Sequence, residues 1–409
     1  MKNIPKIRIK GFEGEWCYSK LEKLSAFSKG QGYSKGNLNP TGNTPIILYG
    51  RMYTNYEPII THVDTFANKK ENSILSEGDE VIVPASGETA EDISIASAVV
   101  QKEVILGGDL NIIKPHKELS PSFLALSISN SKIHKELSTK AQGKSIVHLH
   151  NEDLKKVSIS YPNTNEQEAI STFFQNLDNL ITEQKNKLEN LQKVKKSMLC
   201  KMFPKEGQKV PEIRFKGFEK DWEEKKLGEI SSKVVEKNSK LEFSETFTNS
   251  AEMGIISQQD YFDHDISNIN NIGNYYVTRP NNFVYNPRIS TSAPVGPIKR
   301  NKLGRIGVMS PLYYVFKAEG IDYTFLEKYF ETNLWHNFMK INGDSGARSD
   351  RFSIKDSIFT KMPILTPSPE EQALISFFIE SIYQGIYLQQ KKIEQLQHLK
   401  LSLLSKMFV

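Results

Sequence analysis

Residues 5–21 read PKIRIKGFEGEWCYSKL, and residues 211–227 read PEIRFKGFEKDWEEKKL. Ten of the seventeen positions are identical at an offset of 206, among them Pro5/Pro211, Arg8/Arg214, Gly11/Gly217, Phe12/Phe218 and Trp16/Trp222. A second match starts at Glu166 and Glu371, at an offset of 205. There EQEAISTFFQNLDNLITEQKNKLENLQKVKKSMLCKMF aligns without a gap to EQALISFFIESIYQGIYLQQKKIEQLQHLKLSLLSKMF. Just upstream, Gly143 and Asp153 correspond more loosely to Gly346 and Asp356. Between the matched ends, residues 22–140 and 228–340 show almost no similarity. The chain is two copies of one unit, each a constant frame around a variable middle.

The repeated tail is helical by period. In the first copy Ile170, Leu177, Gln184, Leu191 and Met198 fall seven apart, with Phe174, Ile181, Leu188, Lys195 and Met202 offset by four. The second copy has Ile375, Ile382, Gln389, Leu396 and Leu403, with Ile379, Ile386, Ile393, Lys400 and Met407. Alternating steps of four and three define a coiled-coil seam. Glutamine interrupts both seams at the same place, and lysine does so too. Matching interruptions predict that the helices pack together in fixed register, since a buried amide specifies alignment at some cost in stability. Asn163 or Thr164 and Ser368 are the expected N-caps. A helix of about 37 residues spans roughly 55 Å. Phe203-Pro204-Lys205-Glu206-Gly207-Gln208 stops the first helix and supplies a polar linker.

The variable middles read as strands and loops. Strands are expected at 45–49, 80–83, 97–101 and 110–113, then at 253–257, 275–278, 283–285, 305–309 and 312–317. Turn signals at Glu77-Gly78-Asp79, Gly107-Gly108-Asp109 and Asn286-Pro287 separate them. Short helices are expected over 121–138 and 322–340. The fold class is α+β: two similar mixed α/β domains with curled sheets, separated by two long helices that form an antiparallel coiled coil with pseudo-twofold symmetry.

Composition bounds the function. Among 409 residues, 38% are hydrophobic and 25% charged, a soluble globular profile. No apolar run is long enough to span a bilayer, and the opening Met1-Lys2-Asn3-Ile4-Pro5 leads into charged sequence. With only Cys17 and Cys200, a reducing cytoplasm is expected. The formal charge of +5 permits nucleic-acid binding without demanding it. Basic residues gather beside loops: Lys299, Arg300, Lys302 and Arg305 next to the Gly/Pro-rich stretch from Ser290 to Pro297, Lys140, Lys144, Lys155 and Lys156 in the first copy, and Arg348 and Arg351 in the second. Loops of this kind meet phosphates through Lys and Arg while amides and hydroxyls read base edges. Lys140, Lys144, Lys299, Arg300, Lys302, Arg305, Arg348 and Arg351 are therefore the candidate DNA contacts.

No catalytic centre, metal site or cofactor is expected. Gln142-Gly143-Lys144-Ser145 ends like a phosphate-binding loop, but Ser138 stands where the first glycine belongs. His148 and His150 lie on one side of an expected strand with no third ligand near. Ser86-Gly87-Glu88 lacks a nucleophile-elbow frame. Asn286-Pro287-Arg288-Ile289 is not the Asn/Asp-Pro-Pro-aromatic tetrad that would follow a methyl-donor glycine loop. This pattern points to binding and scaffolding.

On these residues the chain resembles the DNA specificity subunit of type I restriction–modification systems. The resemblance covers the full length. It rests on the GFxxxW openings at Gly11-Phe12-Trp16 and Gly217-Phe218-Trp222, on Pro162 to Glu166-Gln167 and Pro367 to Glu371-Gln372 at the helix entries, and on Lys-Met-Phe at 201–203 and 406–408. It implies two target recognition domains reading the halves of a bipartite double-stranded DNA site. It further implies an antiparallel helix pair that sets their distance, two methyltransferase subunits, two endonuclease/translocase subunits and no membrane. The expected division is a first recognition domain at 1–162, its helix at 163–203, a linker at 204–210, a second domain at 211–366 and its helix at 367–409. Phe173, Phe377, Phe378 and Met198 offer a second apolar stripe for the methyltransferases. The arms differ, Gly14-Glu15 and Cys17 against Lys220-Asp221 and Glu223, so unequal docking is expected. The rival reading is a protein-interaction scaffold with a coiled-coil stalk that never touches DNA.

Overall fold

The computed structural model describes residues 3–141, 146–261, 269–344 and 350–409. The chain divides into two compact units, residues 1–186 with 391–409 and residues 187–390. Each unit thus holds one variable middle, the first half of its own long helix and the last half of the other.

In the first unit a five-stranded sheet runs in the order Ser25–Lys29, Leu110–Pro115, Glu80–Pro84, Ser97–Val99 and Ile59–Ile60. The central strand EVIVP is buried along its whole length, which explains its unbroken apolar run. Its side chains alternate between faces. Val81 and Val83 join the core beneath helix Pro121–Asn130, whereas Ile82 joins a second cluster with Ile47, Val99 and Ile112. A three-stranded sheet of Phe66–Ala67, Thr44–Ile47 and Ile105–Leu106 adds a further layer.

The second unit repeats the central order. Ser231–Lys233, Tyr314–Ala318, Phe283–Tyr285 and Ile298–Arg300 lie side by side, and Phe283 opposes Phe316 as Val81 opposes Ile113. Phe283 and Phe316 face the helix side, Val284 and Val315 the other. Its second sheet differs in make-up: Gly254–Ser257, Thr246–Ser250, Gly307–Met309 and Tyr276–Thr278. The middles therefore share a central sheet that their sequences do not reveal.

The long helices run over Thr164–Lys201 and Pro369–Met407. Asn163 caps the first by accepting from the Glu166 amide at 3.0 Å, and Ser368 caps the second by accepting from the Glu371 amide at 3.4 Å. Within each unit the two helix segments run antiparallel. In the first, Phe174 meets Phe408 with ring centres 6.1 Å apart, and Lys400 pairs with Asp178. In the second, Lys195 sits 4.3 Å from the centre of the Tyr383 ring, and Met202 and Phe203 share a core with Ile375 and Ile379.

Every seam position is covered. Ile170, Phe174, Leu177, Ile181, Gln184, Met202, Ile375, Ile379, Ile382, Gln389, Ile393 and Met407 are buried; Leu188, Leu191, Met198, Ile386, Leu396 and Leu403 are half-buried. The two interrupting lysines are satisfied by Asp178 and by the Tyr383 ring, so neither leaves a bare charge in the seam.

The repeated motifs anchor this frame. Arg8 donates to both oxygens of Glu166, and Arg214 does the same to Glu371. Gln167 donates to the Pro162 carbonyl at 2.8 Å and accepts from the Ser120 amide; Gln372 donates to the Pro367 carbonyl at 2.9 Å and accepts from the Asp322 amide. The Lys-Met-Phe ends close the cores: Phe408 and Trp16 both pack on Phe123, and Phe203 and Trp222 both pack on Phe325. Gly11 and Gly217 sit at φ of +100° and +98°, a region that disfavours any side chain. The arms share one anchor and differ at another: the Ile7 amide donates to the Lys406 carbonyl as the Ile213 amide donates to that of Lys201, but Arg8 donates to the carbonyls of Glu13 and Gly14 where Arg214 donates to that of Lys220.

Two expected helices are each broken in two. The 121–138 stretch forms Pro121–Asn130 and Lys132–Lys140, with Ser131 re-capping by accepting from the Ile133 amide; the 322–340 stretch forms Tyr323–Phe330 and His336–Asn342. Among the described residues no helix is long and apolar enough to cross a membrane.

Candidate nucleic-acid interface

The second unit carries an open cleft of about 590 Å³, lined by Asn249, Ser250, Gln258, Asn286, Arg288, Tyr313 and Arg351 among others. It lies where the central strand Phe283–Tyr285 ends. The following Asn286-Pro287 turn is tied down by the Asn286 side chain, whose Nδ2 donates to the Asn249 carbonyl at 2.8 Å and whose Oδ1 accepts from the Arg288 amide at 2.9 Å. Asn249 is buried, and its Nδ2 donates to the Val284 carbonyl at 2.7 Å. These amides hold the turn rigid and place Arg288 on the cleft.

Arg288 stands directly across an antiparallel bridge from Arg351. The Ile289 amide donates to the Asp350 carbonyl at 3.0 Å, and the Phe352 amide to the Pro287 carbonyl at 2.7 Å. The first unit builds the same ribbon after its own central strand. Ser86 and Gly87 pair with His148 and Val147, and the Leu149 amide donates to the Ala85 carbonyl at 3.1 Å. Ser86 is thus the counterpart of Arg288, and His148 of Arg351.

Residues 13–192 match the family model described as the type I restriction modification DNA specificity domain. The type I restriction enzyme MjaVIII specificity subunit of Methanocaldococcus jannaschii is 21% identical over 379 residues, spanning 88% of this chain and 87% of that protein. The chain is thus similar, over most of its length, to a specificity subunit of a type I restriction enzyme. The fold agrees. A type I restriction–modification S subunit from M. genitalium superposes with a TM-score of 0.56 at 14% identity, covering 99% of both chains. The HsdS subunit from Thermoanaerobacter tengcongensis gives 0.51 at 14% identity, covering 96% of both.

The basic residues singled out by sequence do not form one patch. Arg300 is held by Glu327, with Nε donating at 2.7 Å, and both side chains are largely buried. Burial opposes ionisation of Glu327, yet Lys328, Arg300 and Lys302 together hold its carboxyl below the usual range. Lys302 lies between Glu327 and Glu380 at 3.4 and 3.7 Å. Arg305 grips Glu245 with two hydrogen bonds of 2.8 and 2.7 Å, and that bonding lowers the Glu245 carboxyl. Lys140 pairs with Glu136 one helical turn back. Lys299 is half-buried on an edge strand with no ion pair among the described residues. Lys144 and Arg348, with Gly143 and Gly346, lie outside the described residues.

Of the six candidates among the described residues, Arg351 alone lines the cleft. Sequence reasoning missed its partner Arg288, and it reads His148 as a surface or core residue rather than a metal ligand. The available signal was positional: Arg288 directly follows an Asn-Pro turn at the end of an apolar strand, a place where a rigid scaffold presents a side chain. Among the described residues no group of three or more His, Cys, Asp or Glu could hold a metal.

Proposed function

We propose that the chain is the non-catalytic, DNA-reading subunit of a type I restriction–modification complex, with one variable domain for each half of a bipartite target. One observation carries this reading: the two units repeat the same sheet order and the same Arg–Glu and Gln anchors, yet present different side chains at matching ribbon positions. A repeated frame with unlike readers suits an asymmetric site, because protein pseudosymmetry then need not impose a palindrome.

The working division is recognition domains at 1–162 and 211–366, helices at 163–203 and 367–409, and a linker at 204–210. Two methyltransferase subunits dock on the helices, and two endonuclease/translocase subunits join them. Supporting this, the helices leave large apolar side chains exposed after their seams are covered, including Phe173 and Leu180 on the first and Leu374, Phe377 and Leu388 on the second. Phe377 is 77% exposed. The DNA substrate places the complex in the cytoplasm. The paired helices set the spacer: at 1.5 Å per residue, removing a heptad shortens a helix by about 10 Å, or roughly three base pairs.

The test is co-expression with the methyltransferase partner followed by mapping of methylated genomic sites. A bipartite motif with an unspecified spacer is expected, and a matched heptad deletion from both helices shortens the spacer while both half-sites stay the same. DNA affinity of the complex falls steeply with salt. Salt-insensitive binding with no methylated motif would establish the rival, a scaffold that does not touch DNA.

A further inference from the structure

The short ribbon beside each central sheet is one piece of backbone carrying two sets of side chains. In the first unit Ser86 Oγ and His148 Nδ1 lie 3.3 Å apart. In the second, two arginines face each other. Like charges directly opposite on a ladder cost stability. The nearby carboxylate of Asp350 is 3.9 Å from Arg288 and 4.0 Å from Arg351, too far to hydrogen-bond either. Their side chains are 64% and 31% exposed, so both guanidinium forks keep donors to offer.

The cleft floor is unsatisfied in the complementary sense. Asn249 is 2% exposed, and its Nδ2 donates to the carbonyls of Val284 at 2.7 Å and Pro297 at 3.3 Å, which settles the orientation of the amide. Its Oδ1 is then buried without a hydrogen-bond partner among the described residues, and so is Oε1 of Gln258 on the same cleft. Buried acceptors without a donor from the protein are rare, and an ordered water or a bound group normally supplies one.

We propose that this cross-strand pair is where each domain reads a base pair: Arg288 and Arg351 read guanine in one half-site, and Ser86 with His148 reads the matching position of the other. The inference rests on the bipartite DNA reading above and adds to it the residues and, for the second domain, the base. In the major groove guanine presents two acceptors, O6 and N7, which match the two parallel donors of an arginine fork. Ser86 and His148 offer fewer donors and no fixed fork, so the first half-site is not held to guanine there. Phosphate contacts would use arginine too, but they carry no sequence information.

The experiment maps methylated genomic sites for the chain co-expressed with its methyltransferase partner, as wild type and as Arg288→Gln, Arg351→Lys, Ser86→Ala and His148→Ala. Both arginine variants are expected to relax a guanine position in one half-site, and the other two a position in the opposite half-site. Arg351→Lys keeps the charge and loses only the fork, and continued demand for the untouched half-site reports that each variant is folded. In competition binding the wild-type complex prefers its own duplex over one with that guanine replaced by adenine by ~10–100-fold. The arginine variants reduce this preference to under about threefold. If the wild type yields no bipartite motif, the parent reading falls. If it does, and the arginine variants keep the same motif or lose affinity equally for both duplexes, this inference alone is overturned.

Discussion

Arg8 clasps Glu166 through two parallel hydrogen bonds, Nε to Oε1 at 2.7 Å and Nη2 to Oε2 at 2.6 Å, across 158 residues of chain. Glu166 is fully buried, and Arg8 also donates to the carbonyls of Glu13 and Gly14. The arm is thereby fixed to the helix entry. Removing one partner of a buried pair strands the other charge, at a cost of about 3–5 kcal/mol. Arg8→Ala should therefore destabilise the first unit by that amount in guanidinium unfolding, and Arg214→Ala should do the same to the second. Arg8→Lys recovers little, because an ammonium cannot supply the fork. A loss below about 1 kcal/mol would mean that the pair is not what holds the arm.

The helices and their seams were legible because each depends on period alone, and the second copy repeated even the interruptions. The strands lying in apolar runs were legible for the same local reason. Glu223–Lys226 was not, since EEKK has no apolar residue; it is a strand because Trp222 and Arg214 pin the arm beside Pro363–Thr366. Thr246–Ser250 was missed because its pairing with Gly254–Ser257 and Gly307–Met309, not its side-chain pattern, makes it a strand. Charges were legible but their partners were not: Glu327 and Glu245 neutralise Arg300 and Arg305 from 27 and 60 residues away. The cleft was illegible for the same reason, since only the register of the folded ribbon brings Arg288 opposite Arg351.

Lys328 is a second anchor of the second unit. Its side chain is 1% exposed, with Nζ 2.9 Å from Glu331 and 3.6 Å from the centre of the Tyr383 ring. The Tyr383 hydroxyl donates to Glu331, and burial followed by that carboxylate drives the phenol above its usual range. Lys328→Ala would leave Glu331 facing the ring with one cation fewer, and should cost about 3 kcal/mol. Lys328→Met keeps the buried stem and should recover a measurable part of that loss. Equal destabilisation by both variants in urea unfolding would show that the charge, not the stem, dominates.

Glu327 sets an acid limit on this same cluster. Burial raises its carboxyl, but Lys328, Arg300 and Lys302 outweigh that and hold it below the ordinary 4.5. A depressed folded value means that the ionised form is the one the fold prefers, so its stabilisation is complete above about pH 4.5 and is lost as pH falls through the folded value. The difference in melting temperature between wild type and Glu327→Gln should therefore be constant from pH 8 to 5 and shrink below about pH 4.5. A difference that grew on acidification would reverse the sign and contradict the pairing.

Gly385 lies inside the helix Pro369–Met407, where glycine costs about 1 kcal/mol relative to alanine. A Cβ added there would meet Leu191 Cδ1 at 4.0 Å, an ordinary van der Waals contact, and nothing closer. The position is half-buried, so the methyl would also cover apolar surface. Backbone entropy and burial act in the same direction, with no clash to oppose them. Gly385→Ala should raise the melting temperature by about 2–4 °C. If the two helix segments of this unit were packed more tightly than that contact distance, the same substitution would lower it, so the sign of the shift measures how closely the segments approach.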